Sequence, residues 1–497
     1  MCFISHMTVA CLTVMIFSLS IYGAQTPCTT DGWFGPDCQY QCHCAGSAPC
    51  DKHDGSCSSG CHQDWFGPAC QYARMGFTVT GNFNSSWLTD NKDTTCNREN
   101  LRSVTVTLDT PIPLTWLRVV VSDAVHLNTV KISYANESSN GTECPESNTA
   151  EINRVSADIS CPTEYPVTSV TLSGRGVNFL CSLYISAGRN VALRQRAEQS
   201  TWFNDGSYYL WWAEYAVDGK IPTTNEKRSS QNTCTHTALH DRSPWWKVSF
   251  TQPVEITRFI IENRRDCCQE RLKNFSLTVY PVTDSYRPIT FRGPDEVKST
   301  YSVVPSPRIS FPVREVKITE GFNPKKILTL CEVFIFGETR CVKNRYGLRC
   351  ERECNCANQT SCFVHSGSCP SGCAPGYTGL ECSQECETGR DVTQSTQGDY
   401  VKIPVALHVG RRTLVTRPIE HVRRDVTQAT QGDSVKIPAA LHVVGRTNLV
   451  IRLMESVHKD VIQATQGDCV KTPAALHVVG RTTLVIRLIE PVHRDVT

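Results

Sequence analysis

One short segment of this sequence concentrates side chains that could bind a ligand. Residues 263–271 read Asn-Arg-Arg-Asp-Cys-Cys-Gln-Glu-Arg. Adjacent cysteines can close only a small, strained ring, which would present a rigid, apolar sulfur surface. Asp266 can hold an arginine in place by charge-assisted hydrogen bonds, while arginine and histidine donors face outward. Fixed donors beside an apolar wall suit a neutral ligand that is rich in hydroxyl groups.

Short β-strands are expected to position this segment. Across residues 73–338 short runs rich in β-branched and aromatic residues are broken by Pro, Gly, Asn and Asp, without a long helical period, which favours antiparallel β-sandwiches. The candidate strands form two series: Val104–Leu108, Trp116–Val121, Val130–Tyr134, Val167–Leu172 and Leu183–Ser186, then Trp246–Phe250, Thr257–Glu262, Phe275–Tyr280, Glu315–Thr319 and Glu332–Phe336. We interpret Trp245 and Trp246 as core residues rather than as a platform for a ligand.

The two series are copies of one domain. Val106–Ile112 aligns with Val248–Val254, and Cys181–Ile185 aligns with Cys331–Ile335. Each copy has an early cysteine that could pair with its late one, which gives the candidate disulfides Cys96–Cys181 and Cys234–Cys331. The sequence therefore predicts two β-sandwiches, residues 73–187 and 188–338.

The first copy lacks the ligand-binding segment. Only Ser122–Asn128 stands in its place, and Ser182 rather than a glutamate follows the late cysteine. A further cross-link, Cys144–Cys161, is available there. We interpret this copy as a degenerate, galactose-binding-like domain with a structural role, in which His126 is a surface residue.

The second copy resembles the eel fucolectins, or F-type lectins, whose fold is a discoidin-like jelly roll. The resemblance covers residues 188–338 and rests on the pattern His…Arg-x-Asp-Cys-Cys-x-Glu-Arg that ends at Arg271. It implies a fucose site of six residues: His236, Arg264 and Arg271 on the sugar hydroxyls and ring oxygen, Asp266 orienting the arginines, and a Cys267–Cys268 disulfide against the sugar. The alternative is that these arginines and the aspartate only stabilise a sandwich edge.

The same resemblance implies a structural calcium ion beside the fucose site. Its ligands would be Tyr215, Asp218, Lys220, Thr233, Cys331 and Glu332, of which Tyr215 and Lys220 offer backbone oxygens. The carboxylates are the hard donors that calcium prefers. The sequence departs from the family pattern at Lys220, which adds positive charge, at Arg265, which replaces a glycine, and between Val279 and Cys331, where a cysteine pair is missing.

Two cysteine cassettes flank the β domains. They comprise Cys28, Cys38, Cys42, Cys44, Cys50, Cys57, Cys61 and Cys70, and then Cys341, Cys350, Cys354, Cys356, Cys362, Cys369, Cys373 and Cys382. Six of the seven spacings agree, so one module is used twice. The spacing resembles the laminin-type EGF-like modules of multiple-EGF scavenger receptors, and we assign residues 25–72 and 339–386 to such spacers. A zinc site is the alternative.

The composition and the chain ends indicate a secreted protein. There are 28 cysteines in 497 residues, which favours an oxidising compartment, and the net charge of +2 argues against nucleic-acid binding. The apolar run 8–21 predicts a signal peptide over residues 1–24, and no longer apolar run predicts a membrane span. Residues 387–497 repeat with a period of about 35 and are predicted to be poorly ordered or a small β array.

The sequence thus predicts a secreted, non-enzymatic, calcium-associated lectin. Its partners would be fucosylated glycans on microbial or host surfaces, in innate recognition or cell adhesion, and its oligomeric state stays open. The alternative is the ectodomain of a multiple-EGF scavenger or signalling receptor that binds protein or lipid. An enzyme is disfavoured because no catalytic arrangement stands out. The Asn-x-Ser/Thr sequons predict glycosylation at Asn84, Asn136, Asn140, Asn274 and Asn358.

Overall fold

The computed structural model describes most of the chain between the two ends. The described residues are 28–81, 83–90, 92–139, 141–144, 149–204, 206, 211–222, 232–239, 241–321 and 326–385, with two short strands at 401–402 and 435–436. The predicted signal peptide, Asn140 and nearly all of the 387–497 repeats lie outside them. The described part is mainly β-structure, with one short α-helix, α1 (Ser86–Thr89), and several 3-10 turns. The predicted fold class is confirmed.

The first cysteine module is two small antiparallel ribbons held by disulfides. Its strands are β1 (Trp33–Phe34), β2 (Tyr40–Gln41), β3 (Trp65–Phe66) and β4 (Tyr72–Ala73). The bonds are Cys28–Cys38, Cys42–Cys50, Cys44–Cys57 and Cys61–Cys70. Strands this short bury little apolar surface, so cross-links of about 2–4 kcal/mol each carry much of the stability.

The first β-sandwich contains eight of the next nine strands. They are β5 (Phe77–Thr80), β6 (Ser103–Ile112), β7 (Trp116–Val121), β8 (Lys131–Asn136), β9 (Thr142–Glu143), β11 (Ser156–Ser160), β12 (Val167–Ser173) and β13 (Leu180–Ser186), and β10 (Thr149–Asn153) lies between β9 and β11 along the chain. One sheet has the order β5-β6-β12-β8-β9, and the other contains β11, β7 and β13 in that order. The disulfides Cys96–Cys181 and Cys144–Cys161 cross-link the domain.

Alternating burial explains why these strands form. In β6 the side chains of Val104, Val106 and Leu108 are buried while their neighbours face outward. In β7 the exception among apolar residues is Arg118, which lies opposite Asp158 of β11. Asp158 is fully buried, and Arg118 Nε donates to its Oδ1 at 2.6 Å. The bidentate pair therefore satisfies a charge that the sheet would otherwise bury alone.

The second β-sandwich is built around one very long strand. Its strands are β14 (Arg189–Asn190), β15 (Arg196–Gln199), β16 (Trp245–Glu262), β17 (Ser276–Pro281), β18 (Ile289–Arg292), β19 (Thr300–Val303), β20 (Val313–Thr319) and β21 (Glu332–Thr339). The order is β14-β21-β16-β20-β17-β18, and β15 and β19 also pair with β16. The largest fully buried side chains in its core are Trp246, Tyr301, Phe259 and Phe275.

Strand β16 corrects one prediction from the sequence. The two separate strands predicted on either side of Pro253 are a single strand, whose pairing with β20 shifts register between Ser249 and Val254. Pro253 lies within that shift, where its missing N–H breaks no ladder bond. Because β16 ends at Glu262, the segment 263–271 follows it directly in the chain.

The second cysteine module repeats the architecture of the first. Its strands are β22 (Arg345–Tyr346), β23 (Arg352–Glu353), β24 (Tyr377–Thr378) and β25 (Gln384–Glu385). Its disulfides are Cys341–Cys350, Cys354–Cys362, Cys356–Cys369 and Cys373–Cys382, the same connectivity as in the first module. All these thiols are bonded to one another, which leaves none for zinc. Farther along, β26 (Val401–Lys402) and β27 (Val435–Lys436) pair in parallel.

The chain divides into two compact units. One comprises Met1–Glu146 and Arg154–Arg340, and the other comprises Ser147–Asn153 and Cys341–Thr497. The first module and both sandwich cores fall in the first unit, while the predicted domain bounds stay predictions. Within the described residues, no helix has the length and apolar composition that crossing a bilayer requires.

Candidate ligand-binding site

The loop after β16 is held at both ends by one buried side chain. Asn263 is fully buried, and its Nδ2 donates to the carbonyls of Gln269 and Lys298, each at 2.9 Å. Its Oδ1 accepts from the N–H of Arg264 at 2.8 Å. Asn263 therefore fixes the loop on the sandwich. Sequence reasoning placed it in the segment without giving it this role.

Arg264 is locked by the aspartate that the sequence predicted as its partner. Its Nε donates to Asp266 Oδ1 at 2.7 Å, and its Nη2 donates to Oδ2 at 3.0 Å. The guanidinium carbon lies 5.2 Å from the ring centre of Trp211, so the cation also faces an aromatic ring. The second terminal nitrogen, Nη1, has no hydrogen bond within the described residues, which leaves it as a donor for a ligand.

Arg271 and His236 face each other rather than facing outward separately. His236 Nδ1 lies 2.6 Å from the carbonyl oxygen of Thr237, so this nitrogen must carry the proton. Nε2 then accepts from Arg271 Nη1 at 3.0 Å. A second imidazole proton would point at the guanidinium, so the histidine is neutral here. The expectation that His236 presents an outward donor is therefore not met in this structure.

Arg271 also keeps unused donor capacity. Its Nε is buried and has no hydrogen-bond partner among the described residues. Burial and then the charge of Arg264 lower the pKa of Arg271, while Glu270 and Asp266 act in the opposite sense. A buried donor without a partner costs about 1–3 kcal/mol, and a ligand oxygen would recover it.

An aromatic wall surrounds His236, and the sequence analysis did not identify it. The ring of Phe203 stacks on the imidazole with centroids 4.5 Å apart, and Trp211 meets it edge-on at 5.4 Å. Gln199 Nε2 donates to the Trp211 carbonyl at 2.9 Å and holds this wall in place. The aromatic doublets Trp202-Phe203 and Trp211-Trp212 were the only signal in the sequence.

The adjacent cysteines form a disulfide at the surface of the loop. Cys267 and Cys268 are bonded, and Cys268 has a left-handed backbone with φ of +61°. Cys267 is exposed, and the carbonyl of Cys268 accepts from the Arg271 N–H at 3.2 Å. The disulfide therefore joins an exposed cysteine to a half-buried one whose carbonyl contacts Arg271.

The charges of the loop balance. Three arginines, Arg264, Arg265 and Arg271, lie among three carboxylates, Glu262, Asp266 and Glu270. Asp266 neutralises one arginine, and Glu262 Oε2 accepts from Arg265 Nη2 at 2.9 Å. A site with this balance offers many N–H donors without a strong positive field. It is therefore suited to a neutral polyol more than to an anion.

The predicted metal carboxylates lie together behind the loop. Glu332 is fully buried, and its Oε2 accepts from the N–H of Gly219, next to Asp218, at 3.2 Å. Its Oε1 is buried without a hydrogen-bond partner in the described part of the chain. Burial and then the charge of Asp218 raise the pKa of Glu332 well above its ordinary value. Burial likewise raises the pKa of Asp218.

The remaining predicted ligands adjoin these carboxylates. Tyr215 and Lys220 flank Asp218 on one loop, while Thr233 and Cys331 meet at the Cys234–Cys331 disulfide. Lys220 already uses Asp218: its N–H donates to Oδ1 at 2.9 Å, and its Nζ lies 3.5 Å from Oδ2. Asp218 and Glu332 repel each other, and Glu332 Oε1 has no hydrogen-bond partner in the described residues, so the pair suits a hard cation. The ammonium group of Lys220 would compete with such a cation for Asp218.

Arg265, one of the departures from the expected pattern, links the loop 263–271 to the glutamate at the end of β16. Glu262 lies directly opposite Glu332 on the neighbouring strand. Both Glu262 oxygens accept from Thr300 Oγ1, and Oε2 also accepts from Arg265. Arg265 therefore supplies a positive charge next to two buried glutamates that lie opposite each other on neighbouring strands.

Removing this countercharge has a measurable cost. Arg265→Met is expected to lower the stability of the second sandwich by about 1–3 kcal/mol, because the buried Glu262 carboxylate loses its cationic partner and keeps the hydrogen bonds from Thr300. Differential scanning calorimetry of the full chain measures the loss as a lower transition temperature. The double variant Glu262→Gln/Arg265→Met should recover most of it, because the stranded charge is gone. An unchanged transition in the single variant would show that Glu262 needs no countercharge.

The corresponding loop of the first sandwich is occupied by local contacts. His126 stacks on Phe179 at 3.9 Å, and its Nδ1 lies 3.1 Å from Asp123 Oδ2. The Asp123 side chain also accepts from the N–H of Val125 at the start of a 3-10 turn. These contacts agree with a structural role for this copy.

The predicted glycosylation sites differ in accessibility. Asn84 and Asn358 are exposed, whereas Asn136 and Asn274 are half-buried. Asn136 Oδ1 accepts from the N–H groups of Ser138 and Ser139, and Asn274 Nδ2 donates to Asp295. The two exposed asparagines therefore carry the stronger structural case for modification.

Comparison with known proteins gives matches to the second sandwich. Residues 215–302, which contain the whole loop, match a family described as a NedA-like, galactose-binding domain. Fucolectin-5 of Anguilla japonica is 39% identical over 83 residues, 17% of this chain and 41% of that protein. Fucolectin of Anguilla anguilla is 32% identical over 90 residues, 18% of this chain and 54% of that protein. The chain thus spans about half, or less, of these relatives.

Solved structures are also similar to parts of this chain. A fucose binding module of Streptococcus pneumoniae is 25% identical, with a TM-score of 0.24, over 30% of this chain and 96% of that chain. A lectin from the serum of Morone saxatilis (striped bass) is 21% identical, with a TM-score of 0.24, over 53% of this chain and 96% of that chain. The expected resemblance of this domain to the fucolectins is confirmed by the family match over residues 215–302 and by the sequence identity to the eel proteins.

Proposed function

We propose that this chain is a lectin that binds terminal fucose or related sugars through the loop 263–271. The observation that carries the proposal is the charge-balanced donor cluster, in which Arg264 is clasped by Asp266 and Arg271 faces His236. The similarity of this domain to the eel fucolectins supports the same ligand. Binding, rather than catalysis, is the function proposed.

The donors and the apolar surfaces suit the two faces of a deoxy sugar. Arg264 Nη1 and Arg271 Nε have no hydrogen bonds within the described residues and would donate to ring hydroxyls or the ring oxygen. The imidazole of His236, with its Nδ1 proton held by Thr237, orients Arg271 and can exchange that contact for a hydroxyl. The Cys267–Cys268 disulfide would pack against the apolar C–H face and the methyl group of the sugar.

The proposal includes a calcium ion held by Asp218 and Glu332. Their raised pKa values and the orphaned Glu332 Oε1 are the features that a bound cation would resolve. Tyr215, Lys220, Thr233 and Cys331 would complete the oxygen set around them. When bound, the ion would neutralise the two carboxylates and stiffen the Asp218 loop against β21, which begins at Glu332.

The chain is proposed to act outside the cell. Disulfides in both modules and both sandwiches support an oxidising compartment. Fucosylated glycans on microbial or host surfaces are the proposed partners, in innate recognition or adhesion, with N-glycans at the exposed Asn84 and Asn358.

A glycan array probed with the secreted full chain tests the proposal. Signal is expected on glycans with terminal fucose and not on the same glycans after fucosidase treatment. Lys317→Met changes a residue of β20 that faces the Trp245 ring, and as a control this variant should give the same signal as wild type. Equal signal before and after fucosidase treatment would rule out fucose as the ligand while leaving other glycans open.

A further inference from the structure

We infer that the first cysteine-rich module positions the loop that carries Asp218, rather than serving only as a spacer. The module reaches this loop through Trp33, Cys38 and Gln41. The consequence for metal binding depends on the calcium site proposed above, whereas the ordering of the loop does not.

The module is fixed to the first sandwich by a shared aromatic core. Phe66 and Tyr72 of the module lie against Trp116, with ring centroids 5.1 and 4.9 Å away. Tyr184 stacks on Phe66 at 5.1 Å. Phe66, Tyr72 and Trp116 are buried in this cluster. Aromatic contacts of this number and burial hold the module against the domain instead of leaving it on a free tether.

The same module also contacts the second sandwich. Tyr72 Oη donates to Glu338 Oε2 at 2.9 Å, and Glu338 belongs to β21. The guanidinium of Arg189, the first residue of β14, lies 6.0 Å from the ring of Tyr40. Because β21 is also the strand that begins at Glu332, the module is attached to the element that carries the metal carboxylate. It therefore touches both sandwiches of its compact unit.

Arg194 makes the link between the module and the Asp218 loop. Its N–H donates to the carbonyl of Val217, immediately before Asp218, at 2.7 Å. Its guanidinium lies 3.5 Å from the ring centre of Trp33, and Nη1 donates to the Cys38 carbonyl at 2.5 Å. One residue thus holds the loop with its backbone and the module with its side chain.

The backbone of Arg194 and the packing at Gly219 indicate that this contact is specific. Arg194 has a left-handed backbone with φ of +52°, a conformation that persists in a non-glycine residue only when its surroundings hold it. Gly219 has φ of +80°, and a Cβ atom there would lie 3.1 Å from Leu193 and 3.6 Å from Gln41 Oε1 of the module. The module therefore closes over the turn whose N–H donates to Glu332.

Hydrogen exchange in the calcium-free full chain tests the inference. In Trp33→Ala, the amides of Val217 and Gly219 are expected to exchange about 2- to 5-fold faster, the factor that loss of an exposed cation–π contact implies. Trp65→Ala is the matched control: Trp65 occupies the same Trp-Phe-Gly-Pro motif of the same module, but it stacks on His43 within the module. Its exchange at these amides should equal that of wild type.

A second variant removes the contact from the other side. Arg194→Gln keeps the backbone N–H bond to Val217 and loses the guanidinium, so it should accelerate the same amides by a similar factor. The double variant Trp33→Ala/Arg194→Gln should add nothing further. Calcium affinity measured by calorimetry is expected to fall by the same 2- to 5-fold in each single variant.

The outcomes separate the inference from the metal proposal. Exchange at Val217 and Gly219 that is unchanged in both single variants, or equally fast in Trp65→Ala, overturns the positioning role of the module. If wild type binds no calcium while the exchange pattern is as expected, the metal proposal fails and the positioning role stands. If calcium binds with equal affinity to wild type and Trp33→Ala, the module does not support the metal site.

Discussion

Arg264→Met is expected to weaken binding of methyl α-L-fucoside by the full chain on the order of 100-fold. The guanidinium is the donor that Asp266 and Trp211 hold in one orientation, with Nη1 left for the ligand. A sugar hydroxyl that loses a charged donor in a desolvated site forfeits about 2–3 kcal/mol. Competition for binding to immobilised fucose measures the change directly.

Two controls distinguish a lost donor from a damaged fold. Arg314→Met changes an exposed arginine at the far end of β20 and should bind as wild type does. Arg264→Met/Asp266→Asn removes the stranded carboxylate together with the arginine, so it should restore thermal stability without restoring affinity. If the double variant bound fucoside as tightly as wild type, Arg264 would not be a ligand-binding residue.

Glu332→Gln is expected to have opposite effects on stability with and without calcium. In a chelator, the variant should be more stable than wild type at neutral pH by about 1–3 kcal/mol, because it removes a buried oxygen charge that repels Asp218. With calcium at about 100 times its dissociation constant, wild type should gain about 2.7 kcal/mol and the variant little of that. Thermal unfolding of both proteins in both buffers measures the inversion.

The pH dependence of the calcium-free protein follows from the same carboxylate. The pKa of Glu332 in the folded chain lies well above the value of 4.5 expected when it is exposed. The stability that comes from binding this proton more tightly in the folded chain is therefore fully present below about pH 4.5. It is lost as the pH rises through the folded pKa. Glu332→Gln should not show this loss, so the two stability curves should converge at low pH and separate at neutral pH.

The control for this prediction is a surface glutamate of the same sandwich. Glu296 has a mostly exposed side chain paired with Lys298, so Glu296→Gln should change stability by less than about 0.5 kcal/mol in either buffer. Equal stabilisation of wild type and Glu332→Gln by calcium would place the cation elsewhere. Lower stability of Glu332→Gln in chelator would show that the carboxylate is not strained by its burial.

The sequence was most informative where function depends on local spacing. The contacts between Arg264 and Asp266 join residues two positions apart, and the bond between Cys267 and Cys268 joins neighbours, so the segment itself contained this chemistry. The strands were visible because β6 and β17 alternate buried and exposed side chains. The two equivalent cysteine modules were predicted from a spacing that occurs twice, whereas the pairing of their cysteines was not.

Contacts between distant segments could not be read from the sequence. Phe203 and Trp211 reach His236 only when the fold brings the loop before the 3-10 turn to the sandwich edge. The direction of His236 Nε2 depends on a carbonyl that only the folded backbone places beside Nδ1. Arg265 looked like an added charge, because the burial of Glu262 opposite Glu332 depends on strand pairing that the sequence does not show.

The first module shows the same limit at a larger scale. Its cysteine spacing indicates a small cross-linked unit, and such units are often spacers. Trp33 and Tyr72 have no feature in the sequence that separates them from other aromatic residues of the repeat. Their partners, Arg194 and Glu338, lie more than one hundred residues away along the chain and become neighbours only in the folded unit.

Calorimetric titration of the calcium-loaded full chain with methyl α-L-fucoside tests the central claim most directly. Saturable binding with one site per chain is expected, since the first sandwich lacks the arginine and cysteine loop, and no such site is expected in His236→Ala/Arg271→Ala. Methyl β-D-galactoside should compete poorly. The absence of any fucoside binding at about 1 mM ligand, equivalent to a binding free energy weaker than about −4 kcal/mol, would contradict the account.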